Sequence, residues 1–282
     1  MDAKPPTVAV TGATGAVGGM VARALVDAGL PLRLLVRTPA KAPSLPGCVV
    51  LPSSYGDGAP SVEALRGVQT LLMVSAAESR DRLQQHRAFV DAAAEAGVRH
   101  VVYTSFAAAA PDATFTLGRD HYATEERIRA AGLTHTFLRD SIYLDFFPQI
   151  VGEDGVIRGP AGDGRVAAVA RVDVARVATT VLLHPGQHRN ATYELTGPEA
   201  LSLSQVAAQL SAAEGRNVTY HDETLEEAYA SRASYGAPDW QVDAWVSTYT
   251  SIARGELARV SDDVQRLTGR PPLSLAQLLA AR

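Results

Sequence analysis

A glycine-rich segment near the start of the chain constrains the fold more than any other feature. Thr11-Gly12-Ala13-Thr14-Gly15-Ala16-Val17-Gly18 follows a short run with β-branched residues at 7–10 and opens a stretch of helical spacing at 17–28. Glycines at these positions permit a tight turn, a close backbone approach to a pyrophosphate and close packing of helix on strand. The start of the helix adds free N–H groups and partial positive charge, which favour an anion. The segment predicts a dinucleotide-binding unit, although an ordinary strand–helix turn can carry the same glycines.

The same alternation continues through the first half of the chain. Apolar runs predict strands at 32–36, 49–51, 70–74, 100–103 and 134–138, and helical spacing predicts helices at 62–65, 81–96 and 121–131. Strands that alternate with helices form parallel sheets with right-handed crossovers. We therefore predict an α/β fold, a Rossmann-type doubly wound parallel sheet with a smaller C-terminal α/β lobe.

Beyond Asp140 the alternation loosens. Helices are predicted at 173–183 and 203–213, a strand at 192–195, and a helix-rich region at 229–267 that Gly236 and Pro238 interrupt. We expect a cofactor-binding Rossmann domain at 1–145, to which 165–195 return, and a smaller, mainly helical substrate lobe at 146–282. The aromatic side chains of this second part have two interpretations, a flat acceptor pocket or the core of the lobe: Phe146, Phe147, Trp240 and Trp245.

The end of the second predicted strand indicates which dinucleotide binds. A site for NAD usually places Asp or Glu there to accept hydrogen bonds from the ribose 2′-hydroxyl. No acidic residue occurs between Pro31 and Gly47, and Arg37 ends the strand, with Lys41 four residues later. A guanidinium can make a two-pronged charged contact with the 2′-phosphate of NADP. We therefore predict preference for NADP(H), while a solvated Arg37 is the alternative.

Composition excludes several classes of function. The formal net charge of −4 provides no basic field for nucleic acid or an anionic membrane, and the single cysteine excludes an intramolecular disulfide. No uncharged apolar stretch approaches the ~20 residues that cross a bilayer. The first six residues carry two charges and no apolar core. We expect a cytoplasmic protein that acts on a small molecule, with no nucleic-acid or membrane partner and with a homodimer left open.

The distribution of lysine excludes one kind of chemistry. Short-chain dehydrogenases ordinarily use Tyr-x-x-x-Lys, in which the lysine lowers the pKa of the tyrosine. The only lysines here are Lys4 and Lys41, so none of the nine tyrosines has a lysine four residues later. Catalysis through that pair is therefore excluded.

Several local motifs carry a family resemblance. They run along nearly the whole chain: residues 36–41 (VRTPAK), 55–57 (YGD), 85–87 (QHR), 103–105 (YTS), 117–126 (LGRDHYATEE) and 162–164 (GDG). With them the sequence resembles the NmrA-like, atypical short-chain dehydrogenase/reductase families. It is most similar to the type 2 NAD(P)H:quinone oxidoreductases, with triphenylmethane reductases as relatives.

The resemblance implies a set of cofactor contacts. These fall on Gly12, Ala13, Thr14, Gly15, Ala16, Val17, Gly18, Arg37, Ser75, Ala76, Ala77, Asp140, Ser141, Ile142, Tyr143 and Arg171. The ends of parallel strands are where a doubly wound sheet binds ligands, which agrees with most of them. Two departures stand out. Ser54 replaces an aspartate that contacts adenine in such families, and Asp140-Ser141-Ile142 replaces an Asn-Gly-Trp-like segment beside the nicotinamide.

Three residues are candidates for the reacting groups. Tyr143 polarises an acceptor oxygen or packs against the nicotinamide. Ser105 binds substrate at the end of the fifth strand or bonds a nearby backbone group. His121 delivers a proton or is a polar residue at the helix N-terminus. His86 is a weaker candidate, one polar residue on a predicted helix that also carries arginines.

Three hypotheses for function follow. The first is an NADPH-dependent reductase that transfers hydride to a quinone-like or conjugated aromatic acceptor, because such acceptors need little general-acid help. The alternative is a non-catalytic NADP(H)-sensing regulator of the NmrA-like kind, which the lack of an evident catalytic acid favours. A pathway-specific reductase of a non-quinone substrate is a third possibility, which the altered segment 140–142 permits.

Overall fold

The computed structural model describes residues 5–281, and their contacts divide the chain into two compact units. Unit 1 holds the described residues up to 105 together with 122–139 and 174–193, and unit 2 holds 106–121, 140–173 and those from 194 onward. The chain therefore passes between the units several times. The functional division at residue 145 stays a prediction, because compactness alone assigns neither cofactor nor substrate to a unit.

The strands and helices alternate through the first half of the chain. The strands are β1 (Val8–Thr11), β2 (Leu32–Val36), β3 (Val49–Pro52), β4 (Thr70–Met73), β5 (His100–Phe106), β6 (Thr134–Asp140), β7 (Val156–Gly159), β8 (Arg165–Val166), β9 (Ala191–Leu195), β10 (Leu201–Ser202) and β11 (Thr219–Asp222). The α-helices are α1 (Ala16–Asp27), α2 (Gly58–Leu65), α3 (Arg82–Glu95), α4 (Thr116–Ala130), α5 (Arg171–Leu183), α6 (Leu203–Glu214), α7 (Leu225–Arg232), α8 (Asp239–Ala253), α9 (Asp263–Thr268) and α10 (Leu275–Ala280). Short 3-10 helices cover Pro39–Lys41, Leu144–Gln149, Pro185–His188 and Ala233–Tyr235.

A seven-stranded sheet confirms the predicted doubly wound fold. Its order is β3-β2-β1-β4-β5-β6-β9, and β1 pairs in parallel with both β2 and β4. The chain order reverses between β1 and β4, since β2 and β3 lie on one side of β1 and the later strands on the other. Ligands of open parallel sheets bind at the carboxyl ends of the strands beside such a reversal. The glycine loop follows β1, and Val74 follows β4, so both lie at that point.

Burial explains why α1 packs on this sheet. Its buried side chains are Val17, Val21, Ala22 and Leu25, which recur at helical spacing on one face. Fully burying each large side chain of this kind contributes roughly 1.5–3 kcal/mol. Met20 is half-buried and Ala24 is exposed, so neither adds a fully buried side chain to this face.

Unit 2 contains a separate apolar core and two small sheets. Phe147, Ile157, Leu210 and Ile252 belong to this core. Strand β7 pairs in parallel with β11, and β8 pairs antiparallel with β10. Among the described residues no helix combines the length and the apolar character needed to cross a membrane.

Several element boundaries differ from the predicted ones. Helix α2 begins at Gly58 rather than at 62, because Pro60 lies in the first turn, where its missing N–H costs nothing. Helix α4 begins at Thr116 rather than at 121, with Gly118 inside its first turn. Strands β7, β8, β10 and β11 were not predicted, and neither was α10.

Candidate functional site

The glycine loop is a tight turn with close contacts to the ends of β1 and β4. Gly12 has φ of +65°, and a Cβ there would lie 3.1 Å from the Cβ of Val74. The N–H of Gly15 donates to the Gly12 carbonyl at 2.9 Å. A Cβ on Gly18 would lie 2.4 Å from the same carbonyl oxygen, closer than any side chain tolerates. Positions 12 and 18 therefore require glycine, for the turn and for the close contact of helix and strand.

The start of α1 fits a phosphate. Gly15 occupies the N-cap position in an extended conformation, with no side chain to cap the first turn. Thr14, Gly15 and Ala16 are exposed, whereas Ala13 and Val17 are buried. No acidic residue lies in the first turn of the helix. Exposed N–H groups at the positive end of a helix, without a competing carboxylate, form a ready site for a pyrophosphate.

The two arginines of β2 and its end have opposite environments. Arg33 is buried, and its guanidinium donates to the carbonyls of Pro6, Ala64 and Arg66. Arg37, the first residue after β2, is exposed, and so is Lys41. Among the described residues, neither Arg37 nor Lys41 makes a side-chain hydrogen bond or an ion pair. Arg33 is therefore committed to the fold, whereas Arg37 is available for a ligand at the carboxyl edge of the sheet.

Buried side chains fix the backbone of residues 75–77, which follow β4. The N–H of Ser75 donates to Oγ1 of Thr104 at 2.8 Å, and the N–H of Ala76 donates to Nε2 of His86 at 2.9 Å. The carbonyl of Ala76 accepts from Nε of Arg82 at 3.0 Å. The backbone of Ser75 and Ala76 is therefore held by the side chains of Thr104, His86 and Arg82. We call these three hydrogen bonds the β4 lock.

The lock defines the protonation state of His86. A backbone N–H can only donate, so Nε2 accepts and the proton must reside on Nδ1, which lies 2.9 Å from Oγ1 of Thr124. Burial, reinforced by the charge of Arg82, lowers the pKa of His86 to about 3. The imidazole is therefore neutral throughout the physiological range and acts as a fixed acceptor for Ala76.

A second buried network connects the predicted catalytic residue Ser105 to Glu125. The Ser105 hydroxyl is 3% exposed and donates to Oε1 of Glu125 at 2.6 Å. Arg139 grips the same carboxylate with two hydrogen bonds of 2.9 and 2.8 Å. Glu125 is fully buried, and this grip supplies the charge partner that a buried carboxylate needs. The hydroxyl proton of Ser105 is therefore donated in the hydrogen bond to Glu125.

The segment 140–143 begins at the last residue of β6 and is fixed mainly by hydrogen bonds of its main chain. The N–H of Ser141 donates to the Leu195 carbonyl at 3.0 Å, and the Asp140 carbonyl accepts from Ala107 at 2.9 Å. The hydroxyl of Tyr143 donates to Oδ2 of Asp140 at 2.8 Å. Within the described residues, Oδ1 of Asp140 and Oγ of Ser141 are buried without a hydrogen-bond partner.

Aromatic and charged side chains flank Tyr143. The guanidinium carbon of Arg171 lies 5.2 Å from the Tyr143 ring centroid and 4.4 Å from that of Phe146. Asp145 fixes the start of α5 by accepting from the main-chain N–H of Arg171 at 2.9 Å. Phe146 is 40% exposed, whereas Phe147 belongs to the core of unit 2. Tyr143, Phe146 and Arg171 therefore form a partly exposed stacked surface.

The structure corrects one interpretation of His121. Because α4 begins at Thr116, His121 lies in the second turn rather than at the helix N-terminus. Its side chain is 6% exposed, and its ring lies 5.9 Å from that of Phe106. Trp240 and Trp245 lie on α8 and are half-buried.

The predicted site residues form two groups, one in each unit. Unit 1 brings the glycine loop and residues 75–77 together, because Oγ1 of Thr11 accepts from the N–H of Val74 at 2.9 Å and Tyr55 donates to the Val74 carbonyl at 2.5 Å. Unit 2 holds residues 140–143 together with Arg171. No cluster of metal-ligating side chains occurs in the part of the chain described.

Sequence reasoning missed the supporting roles of Thr11, Tyr55, Arg82 and His86, although it named His86 as a weaker candidate for a reacting group. One signal was available for Thr11, a hydroxyl at the end of an otherwise apolar strand. The QHR motif at 85–87 contained His86, but the hydrogen bond to Ala76 arises from the folding of α3 onto the loop and has no sequence signature.

Comparison with known proteins assigns the family. The model of the NmrA-like family matches residues 4–237. The chain belongs to the NmrA-like family. This NmrA-like protein is 35% identical to an NAD(P)H azoreductase of Xenophilus azovorans, over 97% of each chain.

Two solved structures are similar over nearly the full length. An Escherichia coli NADPH-dependent quinone oxidoreductase in complex with NADPH is 35% identical, with a TM-score of 0.88 over 97% of this chain and 99% of that chain. A Citrobacter triphenylmethane reductase in complex with NADP(H) is 33% identical, with a TM-score of 0.87 over 97% of this chain and 99% of that chain.

Proposed function

We propose that this protein is an NADPH-dependent reductase that transfers hydride to quinone-like or other conjugated aromatic acceptors. The observation that carries the proposal is the glycine loop, whose exposed helix start has no side-chain cap and no acidic residue. The relatives support the acceptor class, since they are described as quinone, azo and triphenylmethane reductases. When bound, NADPH supplies a hydride, and the protein supplies orientation and proton control.

Within this proposal the cofactor contacts are those that the resemblance implies. The loop 12–18 and residues 75–77 hold the pyrophosphate region, while Arg37 and Lys41 bind the 2′-phosphate. Residues 140–143 and Arg171 complete the set of cofactor contacts that the resemblance implies. Of the three reacting-group candidates we favour Tyr143, because its side chain is half-buried within a partly exposed stacked surface, whereas Ser105 and His121 are buried.

The cofactor assignment is tested by binding. Fluorescence titration should give a dissociation constant for NADPH at least about tenfold lower than that for NADH. Arg37→Ala should weaken NADPH binding by about tenfold or more and leave NADH unchanged, since a charged contact of roughly 1.5–3 kcal/mol is lost. Arg87→Ala, which removes an exposed arginine on α3, is the matched control. Equal affinities for both cofactors in the wild type would refute the role of Arg37.

The reaction is tested with a panel of acceptors. NADPH oxidation should be seen with a benzoquinone, an azo dye or a cationic triarylmethane dye. Tight NADP(H) binding without turnover of any of them would favour the second candidate, a nucleotide-sensing regulator. Turnover confined to a non-aromatic conjugated substrate would instead indicate a pathway-specific reductase, which the segment 140–142 permits.

Three finer assignments complete the proposal. We infer membership of the short-chain dehydrogenase/reductase group from the doubly wound sheet and glycine loop. A cytoplasmic location suits a chain with a single cysteine, and fractionation tests it. A homodimer would cover the exposed Leu225, Tyr229 and Tyr235 of unit 2, and light scattering with Tyr235→Ser tests that.

A further inference from the structure

The contact between Asp140 and Tyr143 has an unusual charge environment. Asp140 ends β6 and is 3% exposed. One carboxyl oxygen accepts the Tyr143 hydroxyl at 2.8 Å, and the other is buried with no hydrogen-bond partner among the described residues. An ionised carboxylate in such a place is costly, because buried charges are ordinarily paired and fully hydrogen-bonded.

The surrounding charged groups do not supply that pairing. Arg171, from the start of α5, stacks over the Tyr143 ring, and Asp145, from the 3-10 helix Leu144–Gln149, accepts from the Arg171 main chain. Neither is hydrogen-bonded to Asp140. Burial raises the pKa of Asp140 to about 8, and the hydrogen bond from Tyr143 opposes that rise. Burial and the neighbouring Asp140 also raise the pKa of Tyr143, so both groups hold their protons at neutral pH.

We propose that Asp140 is a neutral carboxylic acid that resupplies Tyr143 with the proton it delivers to the reduced acceptor. This relay rests on the proposed reductase function. Asp140 acts only through Tyr143 and is in that sense a positioning residue, whereas Tyr143 is the group that would touch the acceptor.

Complete reduction of a quinone by hydride requires one further proton, which a donor beside the acceptor can supply. Hydride brings two electrons and one hydrogen, so the quinone becomes a hydroquinone monoanion that lacks one proton. At rest the Tyr143 hydroxyl donates to Oδ2 of Asp140. For the transfer that hydroxyl turns toward the oxyanion, and the Asp140 proton lies on Oδ2. The O–H bond of Tyr143 then breaks as its proton passes to the oxyanion, and the O–H bond of Asp140 breaks as its proton passes to the tyrosine oxygen. The resulting Asp140 carboxylate takes a proton from solvent after the product leaves.

The first test follows single-turnover oxidation of NADPH by a benzoquinone between about pH 6 and pH 9. The wild-type rate should fall as the pH passes the pKa of Asp140. Asp140→Asn keeps an oxygen that accepts from Tyr143 but holds no titratable proton. It and Tyr143→Phe should slow the reaction by about 100-fold and abolish the pH limb, as loss of a general acid does. Asp145→Asn removes the neighbouring carboxylate and should retain the limb.

A second acceptor separates proton delivery from hydride transfer. A cationic triarylmethane dye takes hydride at its central carbon and becomes neutral without any proton. The wild type should therefore show the pH limb with the quinone and not with the dye. The same limb with both acceptors would overturn the relay while leaving the reductase assignment intact.

The third test needs no cofactor. Infrared difference spectra of the free protein between pH 6.5 and pH 9.5 should show loss of a carboxylic C=O band, and the band should be absent in Asp140→Asn. An identical spectrum in wild type and variant would overturn the proposal, and so would a wild-type pH limb in Asp140→Asn. No turnover of any acceptor by the wild type, with the carboxyl band present, would refute the reductase function instead.

Discussion

The chain after β4 and the chain at the end of β6 both lie at the carboxyl ends of strands in the same sheet. They differ in whether their polar atoms are hydrogen-bonded. After β4, the peptide groups of Ser75 and Ala76 are matched by Thr104, His86 and Arg82. After β6, the side chains of Asp140 and Ser141 each leave one buried oxygen unmatched within the described chain. The main chain is fixed in both segments, so the contrast lies in the side chains.

This contrast separates two kinds of work. A network in which every polar group is hydrogen-bonded stabilises one backbone conformation, because movement of the loop would break those hydrogen bonds. An unmatched buried carboxyl is destabilising unless it is neutral, and such residues occur where chemistry requires them. The β4 lock therefore fixes the backbone of Ser75 and Ala76, which the proposed function assigns to cofactor binding, whereas in the proposed relay Asp140 at the end of β6 holds a proton. Each of the following substitutions changes either a fully hydrogen-bonded network or the unmatched carboxyl of Asp140.

The largest effect is expected when the β4 lock is opened. His86→Leu leaves the half-buried Ala76 N–H without its acceptor, which costs about 1–3 kcal/mol in addition to the loss of packing. We expect a lower free energy of unfolding and NADPH binding weakened by about tenfold. His86→Gln places an amide oxygen near the position of Nε2 and should restore most of the binding. Denaturant unfolding and fluorescence titration measure the two effects.

The control for the lock is Arg87→Leu, an exposed neighbour on the same helix. If His86→Leu loses stability yet binds NADPH as the wild type does, the lock serves the fold alone.

A smaller effect of opposite sign is expected at Asp140. Its pKa is about 8 in the folded protein, above that of an unfolded aspartate, so the folded state holds a proton that the unfolded chain releases. The stability that this proton contributes is complete below about pH 4, the pKa of an unfolded aspartate, and declines as the pH rises from there to about 8. Asp140→Asn removes the decline, and we expect its free energy of unfolding to exceed that of the wild type by about 2 kcal/mol more at pH 8 than at pH 6.5.

Denaturant unfolding of the cofactor-free protein at pH 5, 6.5 and 8 measures this difference. Asp154→Asn is a suitable control, since Asp154 is an exposed carboxylate paired with Arg158, which lowers its pKa. A stability difference that is constant with pH would show that Asp140 is ionised in the folded state.

Much of unit 1 could be predicted because its signals are local. Glycine at 12 and 18 is required by a turn and by a contact within one strand–helix unit, so spacing alone identified the loop. Buried parallel strands are apolar runs, and each of the first six lies close to its predicted position.

The rest depends on pairing between distant residues. Strands β7 and β11 are four residues each, lie about sixty positions apart and form a two-stranded sheet, which no local periodicity reveals. The environment of Asp140 likewise follows from burial and from a hydroxyl three positions ahead. The sequence showed an aspartate in an unexpected place, and the structure shows why it would keep its proton.

The smallest effect is expected at Ser105, which tests the satisfied side of the comparison. Ser105→Ala removes one hydrogen bond from Glu125, whose carboxylate keeps both contacts with Arg139. We expect a loss of about 1 kcal/mol in the free energy of unfolding, typical of one hydrogen bond, and a change in the NADPH oxidation rate of less than about threefold. Ser105→Thr, which keeps a hydroxyl, is the matched variant. A rate loss of about 100-fold in Ser105→Ala at unchanged stability would instead place the hydroxyl on the acceptor. In that case the buried network would be part of the chemistry, and the division drawn between the two strand ends would fail.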